Sequence, residues 1–397
     1  MECATLTFDS QGRLVGLCGD ISGPSLHLID PDTLQITKSQ PLPERKPSKE
    51  SRLQDLCGGA YFYLDDRDRA VVATTDKHLW VIREVNPGPA FALESDFDLS
   101  AALGTDRATS ALPDWDGNLW FVGRYTGVVG VVEPNTGAVH SIVLGEEIEN
   151  SFAVDRDGVY VVSDKAMYRF ALDATGTPTV VWRQVYQNVG VKKPGQVNAG
   201  SGTTPTIMNG GYVAITDNAN PMNVVVYRTA ATLAPGQPRT VCEVPVFSAG
   251  ASDTENSLIA ADRALIVENN YGYHLTSVVN GGVTAPGVAR VDVRPDGSGC
   301  DLAWTNTSVS APSVVPKVSL RTGLLYAYTK EVDPVNATSD PWFWTAIDFR
   351  TGAVAWQQLA GTGAGFNNHY AGICVGPNRV AYLGTVGGVV ALRDGTR

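Results

Sequence analysis

Short apolar runs rich in β-branched residues alternate with polar turns along the whole chain. Val159-Tyr160-Val161-Val162 and Val224-Val225-Val226-Tyr227 are continuous apolar runs of strand length. Flanked by Gly, Asp and Asn, such runs predict strands buried on both faces. No stretch carries the 3.6-residue period that would predict a helix. One unit recurs: a small or polar lead-in, a strand, a polar turn, a second strand, a loop and a third strand. An Asp or Thr-Gly turn and a fourth strand often follow. Its first hairpin is clearest in residues 4–17, 152–162, 206–215 and 373–383, around Ser10-Gln11, Arg156-Asp157, Asn209-Gly210 and Pro377-Asn378. Four more hairpins centre on Asp66, Asp116, Asp262 and Thr322, so the turns recur every 41 to 60 residues.

Eight such units fill the 397 residues, and a four-stranded propeller blade needs about 40–50 residues. The chain therefore reads as all-β: one domain spanning residues 1–397, an eight-bladed β-propeller of four-stranded antiparallel blades. The last unit stops after its third strand, which leaves seven blades as the alternative.

The second half of several units carries a further pattern, a strand running into Asp-x-x-Thr-Gly and then a Trp. It stands as Ile347-Asp348-Phe349-Arg350-Thr351-Gly352 with Trp356, and more loosely as Asp173-Ala174-Thr175-Gly176 with Trp182 and as Glu133-Pro134-Asn135-Thr136-Gly137. This resembles the repeat of the quinoprotein alcohol-dehydrogenase-like (PQQ-like repeat) propellers. The resemblance implies that Asp and Gly close the turn and that Trp packs between blades. Those dehydrogenases clamp pyrroloquinoline quinone (PQQ) between a vicinal Cys–Cys disulfide and a Trp floor. No two cysteines are adjacent here, which argues against PQQ as a cofactor.

Composition narrows the partners. The net charge is −11, and Lys and Arg are scattered singly, so nothing prepares the chain to release counterions from nucleic acid. The same charge argues against an anionic membrane surface, and no apolar run is long enough to span a bilayer. A monomer is expected. Six cysteines are present. A two-residue turn in the first hairpin sets Leu6 opposite Val15, Ala4 opposite Leu17 and Cys3 opposite Cys18, near enough for a disulfide. Cys242 and Cys300 end neighbouring units, and Cys57 and Cys374 begin the second and last, as further candidate partners. Disulfides imply an oxidising compartment. The abrupt start at Met1-Glu2 reads as a secreted or periplasmic domain whose signal peptide has been replaced by an initiator Met.

Propeller geometry brings the lead-in of each unit, and the loop between its second and third strands, to one face. The lead-ins are polar: Gln54-Asp55, Thr109-Ser110, Glu149-Asn150-Ser151, Thr203-Thr204, Glu255-Asn256-Ser257 and Asn367-Asn368-His369-Tyr370. The Glu-Asn-Ser tripeptide occurs twice at the same place in its unit. Carboxylate and amide oxygens suit a hard cation, since Ca²⁺ takes oxygen ligands. Glu149, Asn150, Glu255, Asn256 and Asn368 are the candidate metal ligands. His369 and Tyr370 are candidate acid–base groups, with Glu268 and Asp217. Arg124, Lys165, Asn218, Asn269, Thr204 and Lys317 are candidate ligand contacts. The leading expectation is a calcium-assisted hydrolase or lactonase acting on a small polar or carbohydrate-like substrate. A quinoprotein-like oxidoreductase, a polysaccharide-lyase-like enzyme using His369 and Tyr370, and a non-catalytic binding scaffold are the alternatives. The acidic runs Asp65-Asp66-Arg67-Asp68 and Asp155-Arg156-Asp157-Gly158 resemble calcium loops but read better as hairpin turns.

Overall fold

The computed structural model describes residues 1–20, 23–44, 60–85 and 91–395. Eight antiparallel sheets follow one another in chain order, each with its strands in sequence order, and form an eight-bladed β-propeller. Blades 1 to 7 have four strands; blade 8 has three, Cys374–Val375, Ala381–Thr385 and Gly388–Leu392. Blade 4 begins at Ala153–Val154, blade 5 at Thr206–Met208, blade 6 at Ile259–Ala261 and blade 7 at Lys317–Ser319. The lead-in Gln54-Asp55 and Cys57 lie outside the described residues.

Burial explains why the sequence reads as it does. Second strands such as Leu119–Gly123, Val159–Val162 and Ala264–Glu268 are buried throughout, whereas fourth strands such as Val354–Thr362 are largely exposed. A strand covered on both faces must be apolar at every position, and one facing solvent need not be. Trp342 and Trp344 are core residues of the strand Pro341–Asp348, packed on Tyr328. One short helix, Ser100–Leu103, was not expected.

The chain forms two compact units. One comprises Met1–Val161, Phe170–Val180 and Cys374–Arg397; the other comprises Val162–Arg169 and Val181–Ile373. In the first unit, blade 8 packs against the opening strand Glu2–Phe8. Phe8 and Tyr382 meet at 5.5 Å between ring centroids, and Tyr382 Oη donates to Pro31 O at 2.9 Å. Gly384 is needed for this approach, because a Cβ there would stand 1.8 Å from Cys3 O. In the second unit the cores run from Met208 to Val293 in blades 5 and 6, and from Ile266 to Ile347 in blades 6 and 7.

Cys3 is bonded to Cys18, as the hairpin predicts, but by a different register. The pairs are Phe8↔Leu14, Leu6↔Gly16 and Thr5↔Leu17, so the turn is one residue longer than expected. A bulge at Ala4 restores the alignment and sets Cys3 opposite Cys18. Cys242 is bonded to Cys300, linking the fourth strands of blades 5 and 6. In the chain-entropy limit, closing loops of this kind contributes about 3 kcal/mol for the short one and about 4 kcal/mol for the long one. The acidic runs are turns: Asp65 Oδ1 accepts from the amides of Arg67 and Arg69, and Asp155 Oδ1 from those of Asp157 and Gly158.

Candidate functional site

The second unit buries an uncommon quantity of polar side chain where blades 5, 6 and 7 begin. Two segments of blade 6 form its centre: the lead-in Asp253-Thr254-Glu255-Asn256, and Glu268-Asn269-Asn270 at the end of the second strand. All seven are buried. They run side by side, with the Asn270 amide donating to Asp253 O at 2.9 Å and Asn256 Nδ2 to Glu268 Oε1 at 2.7 Å. Extended backbone sends alternate side chains to opposite sides. Thr254 and Asn256 turn toward Asn270 and Glu268, with Asn256 Nδ2 also reaching Val314 O at 2.8 Å. Asp253 and Glu255 turn the other way, toward residues 193–202.

Those residues belong to a strap, 187–202, that joins blade 4 to blade 5. Its backbone is pinned by the residues it covers. Val197 N donates to Glu255 Oε1 at 3.0 Å, Gly272 N to Pro194 O at 2.7 Å, and Tyr370 Oη to Gly195 O at 3.3 Å. Lys193 Nζ donates to Ala219 O and Ser252 O. Asn218 Nδ2 holds the strap's start through Asn188 Oδ1 and Val191 O. Beside it opens a cleft of about 580 Å³, lined by Gln187, Asn188, Ala219, Asn220 and Glu243 among others.

Electrostatics single out two carboxyl groups. Asp253 is 0% exposed, and neither oxygen has a hydrogen-bond partner. Burial raises its pKa to about 8, with the Lys193 ammonium pulling against it. Glu268 is 2% exposed, with Oε2 unpartnered, and burial pushes it well above the usual carboxylate range despite the bond from Asn256. Asp217 is raised to about 6 by burial, but both of its oxygens are used: Ala219 N, Asn223 N and Asn223 Nδ2 donate to them. It holds the loop that ends at Asn223. Burial likewise lowers Lys193, opposed by Asp253 and Asp217.

The lead-in to blade 8 completes this group. His369 and Tyr370 both take left-handed backbone, φ 41° and 66°, which costs a non-glycine residue roughly 1–2 kcal/mol. Asn367 Oδ1 stabilises the turn by accepting from His369 N at 3.0 Å and Tyr273 Oη at 3.2 Å. The rings of Tyr273 and Tyr370 meet edge-on at 4.9 Å, with His369 5.4 Å from Tyr370. Asn368 reaches the centre through Ser313, whose hydroxyl is 3.4 Å from Asn368 Oδ1. Strain of this sort persists only where the surroundings enforce it, and it clusters at functional sites.

The second unit thus collects Glu268, Glu255, Asn256, Asn368, His369 and Tyr370 from the candidates named above. Asn269 braces the backbone, its amide group bonded to Ala251 O, Asp253 N and Tyr271 N. Thr204 is half-buried in the lead-in to blade 5, and Lys165 and Lys317 are exposed. Glu149, Asn150 and Arg124 belong to the first unit. There Glu149 Oε1 stands 3.9 Å from Arg124 Nη1, and Asn150 Oδ1 accepts from Tyr61 Oη at 3.0 Å. The two Glu-Asn-Ser tripeptides therefore have different partners: a guanidinium for Glu149, a backbone amide for Glu255. Among the described residues, no group of three His, Cys, Asp or Glu side chains is arranged to hold a metal ion. A cation here would depend on amide and carbonyl oxygens beside Glu268.

Two residues escape the sequence reading. Asp253 carries a signal in retrospect, since it lies two positions before Glu255 and so on the same side of an extended lead-in. Lys193 carries none; it lies in a segment without strand periodicity.

No family profile matches the chain. An uncharacterized protein of Archaeoglobus fulgidus is 28% identical over 333 residues, covering 76% of this chain and 63% of that protein. The chain thus spans less than two thirds of the length of that relative. Among solved structures, the chain is similar to Sqt1 of Chaetomium thermophilum (TM-score 0.62, 11% identity, 99% of this chain and 95% of that one). It is also similar to Sqt1 of Saccharomyces cerevisiae (TM-score 0.58, 10% identity, 100% and 96%). The Dos1 propeller follows (TM-score 0.54, 10% identity, 82% and 74%). At these identities the likeness is one of fold. The chain is a β-propeller.

Proposed function

We propose that this propeller is a secreted protein that binds a small polar molecule in the second unit. We infer that it acts there as a hydrolase, on a lactone or ester, with the help of a hard cation held at Glu268. One observation carries the reading: Glu268 is buried with one oxygen bonded by Asn256 and the other without a partner. An ionised carboxylate so placed costs several kcal/mol unless an opposite charge joins it. Asn256 donates to Val314 O and Asn368 Oδ1 stands 3.4 Å from the Ser313 hydroxyl, and both side chains carry amide oxygens, the ligand type that Ca²⁺ takes. Glu149 and Asn150 drop out of the ligand set, because Arg124 already stands against Glu149. A cation at Glu268 would polarise a carbonyl oxygen of the substrate. His369, next to Asn368 on its strained turn, is the base for the attacking water. The two disulfides support an oxidising compartment.

The test is metal analysis of the purified full chain, joined to melting curves in calcium and in EDTA. About one bound calcium ion per chain is expected, with a melting temperature that rises with calcium concentration as ligand linkage requires. Glu268→Gln should remove both effects, and His369→Ala should remove lactone or ester hydrolysis while leaving calcium binding intact. Identical melting in calcium and EDTA for the unmodified protein would end the cation reading.

A further inference from the structure

Asp253 is the one buried acid of this group that neither the lead-in pattern nor the proposed cation uses. It is fully buried, and both oxygens lack a hydrogen-bond partner. The point where a Cβ on Gly195 would stand is 2.8 Å from Asp253 Oδ1, 3.3 Å from Oδ2 and 2.7 Å from Asn270 O. Three acceptors thus face the strap at a residue with no side chain, and any substituent there would collide with them. Lys193 lends its field to Asp253 but makes no hydrogen bond to either oxygen; its Nζ donates to Ala219 O and Ser252 O. Ala219, one of the two acceptors of Lys193, also lines the cleft beside the strap. On the other side, Gly195 O receives the hydroxyl of Tyr370, part of the Tyr273–Tyr370–His369 ring cluster.

We propose that Asp253, beneath the strap at Gly195, is the seat for a primary ammonium group of a small ligand. Two acceptor oxygens without donors call for a group bearing several N–H bonds, and an ammonium brings three. A metal dication is the poorer occupant, because the nearby Lys193 repels it twice as strongly as a single charge. The strap must lift at residues 193–197 for the ligand to enter, which breaks the bonds from Gly272 N, Tyr370 Oη and Val197 N described above. This names a ligand class for the second unit, on the side of the lead-in away from Glu268. It rests on the second unit binding a small polar molecule, not on the cation at Glu268 or on hydrolysis.

The experiment is calorimetric titration of the full chain with n-propylammonium chloride, and with n-propanol as the neutral counterpart of equal size. The expected result is binding of propylammonium at least about tenfold tighter than propanol, a difference of about 1.4 kcal/mol. Asp253→Asn should erase that difference, and Glu268→Gln should keep it. The converse pattern, calcium binding lost in Glu268→Gln and kept in Asp253→Asn, separates this seat from the cation site. Should Asp253→Asn fail to fold, a pH series on the unmodified protein serves instead: the preference for propylammonium over propanol should grow as pH rises toward 8 and Asp253 ionises, and a preference that does not change with pH would overturn the proposal. Equal affinity for propylammonium and propanol in the unmodified protein, or unchanged preference in Asp253→Asn, would overturn the proposal.

Discussion

Asp173 and Asp348 close exposed turns, whereas Asp253 and Glu268 stand buried at the start of blade 6, and chemically identical groups behave oppositely in the two places. Asp348 Oδ1 accepts from the amides of Arg350 and Thr351 and from the Thr351 hydroxyl. Asp173 Oδ1 accepts from Thr175 N, Thr175 Oγ1 and Thr177 N. Those donors hold both carboxyls below their ordinary range: for Asp173 the Thr175 hydroxyl first, for Asp348 the Thr351 amide first. Every donor comes from within four residues, so the turn and its charge partner form together. Asp253 and Glu268 lie against distant segments that supply almost no donors, and burial drives both upward. A turn acid completes itself; a buried acid of this kind needs a proton or a cation.

The pH dependence of stability is the sharpest way to test that contrast. A carboxyl whose folded pKa exceeds its unfolded value holds its proton in the folded state and loses it on unfolding. The folded state then binds more protons, so stability falls as pH rises between the two values. For Asp253 that window runs from the unfolded carboxylate range up to about 8. Each pH unit within it removes roughly 1.4 kcal/mol from one such group. Denaturant unfolding should therefore show greatest stability in mildly acid solution, and Asp253→Asn should flatten the decline toward pH 8. An unchanged decline in that variant would break the comparison.

A smaller effect is expected at Asn256. Asn256→Ala leaves Glu268 buried without its single donor, which should cost about 1–3 kcal/mol in unfolding experiments. The loss should shrink in acid, where the carboxyl is neutral in both folded and unfolded chains. Smallest of all is Asp173→Ala, which removes three local bonds at an exposed turn. Its melting temperature should drop by less than that of Asn256→Ala. The pH dependence of this contribution should be opposite to that of Asp253, because a lowered pKa stabilises above the unfolded value and is lost as pH falls through the folded one.

Much of this architecture was legible one residue at a time. Continuous runs such as Val159–Val162 are buried on both faces, so their composition alone declares the strand. Turn acids such as Asp65 and Asp155 accept from amides within their own loops, as hairpin-turn residues are expected to. The first hairpin shows where local reading slips. The disulfide Cys3–Cys18 was foreseen, yet the bulge at Ala4 was not, because a bulge changes neighbours without changing the alternation that reveals the strand. Trp344 stands opposite Tyr328 in the register of two neighbouring strands, and Trp342 stacks on the same ring, a pairing set by which strand lies alongside.

The sequence by itself determined the repeat, the strand type and the polar lead-ins, since each rests on periodicity or on contacts a few residues apart, while the choice of eight blades over seven came with the structure. Only the tertiary structure decided which of those polar groups matter. Glu149 and Glu255 share a tripeptide, but one met Arg124 and the other the amide of Val197. Asp253 became an orphan because a strap some sixty residues earlier settled over it with a glycine at the point of contact. Whether a buried charge is satisfied depends on donors that arrive from elsewhere in the chain, and no local pattern encodes their arrival.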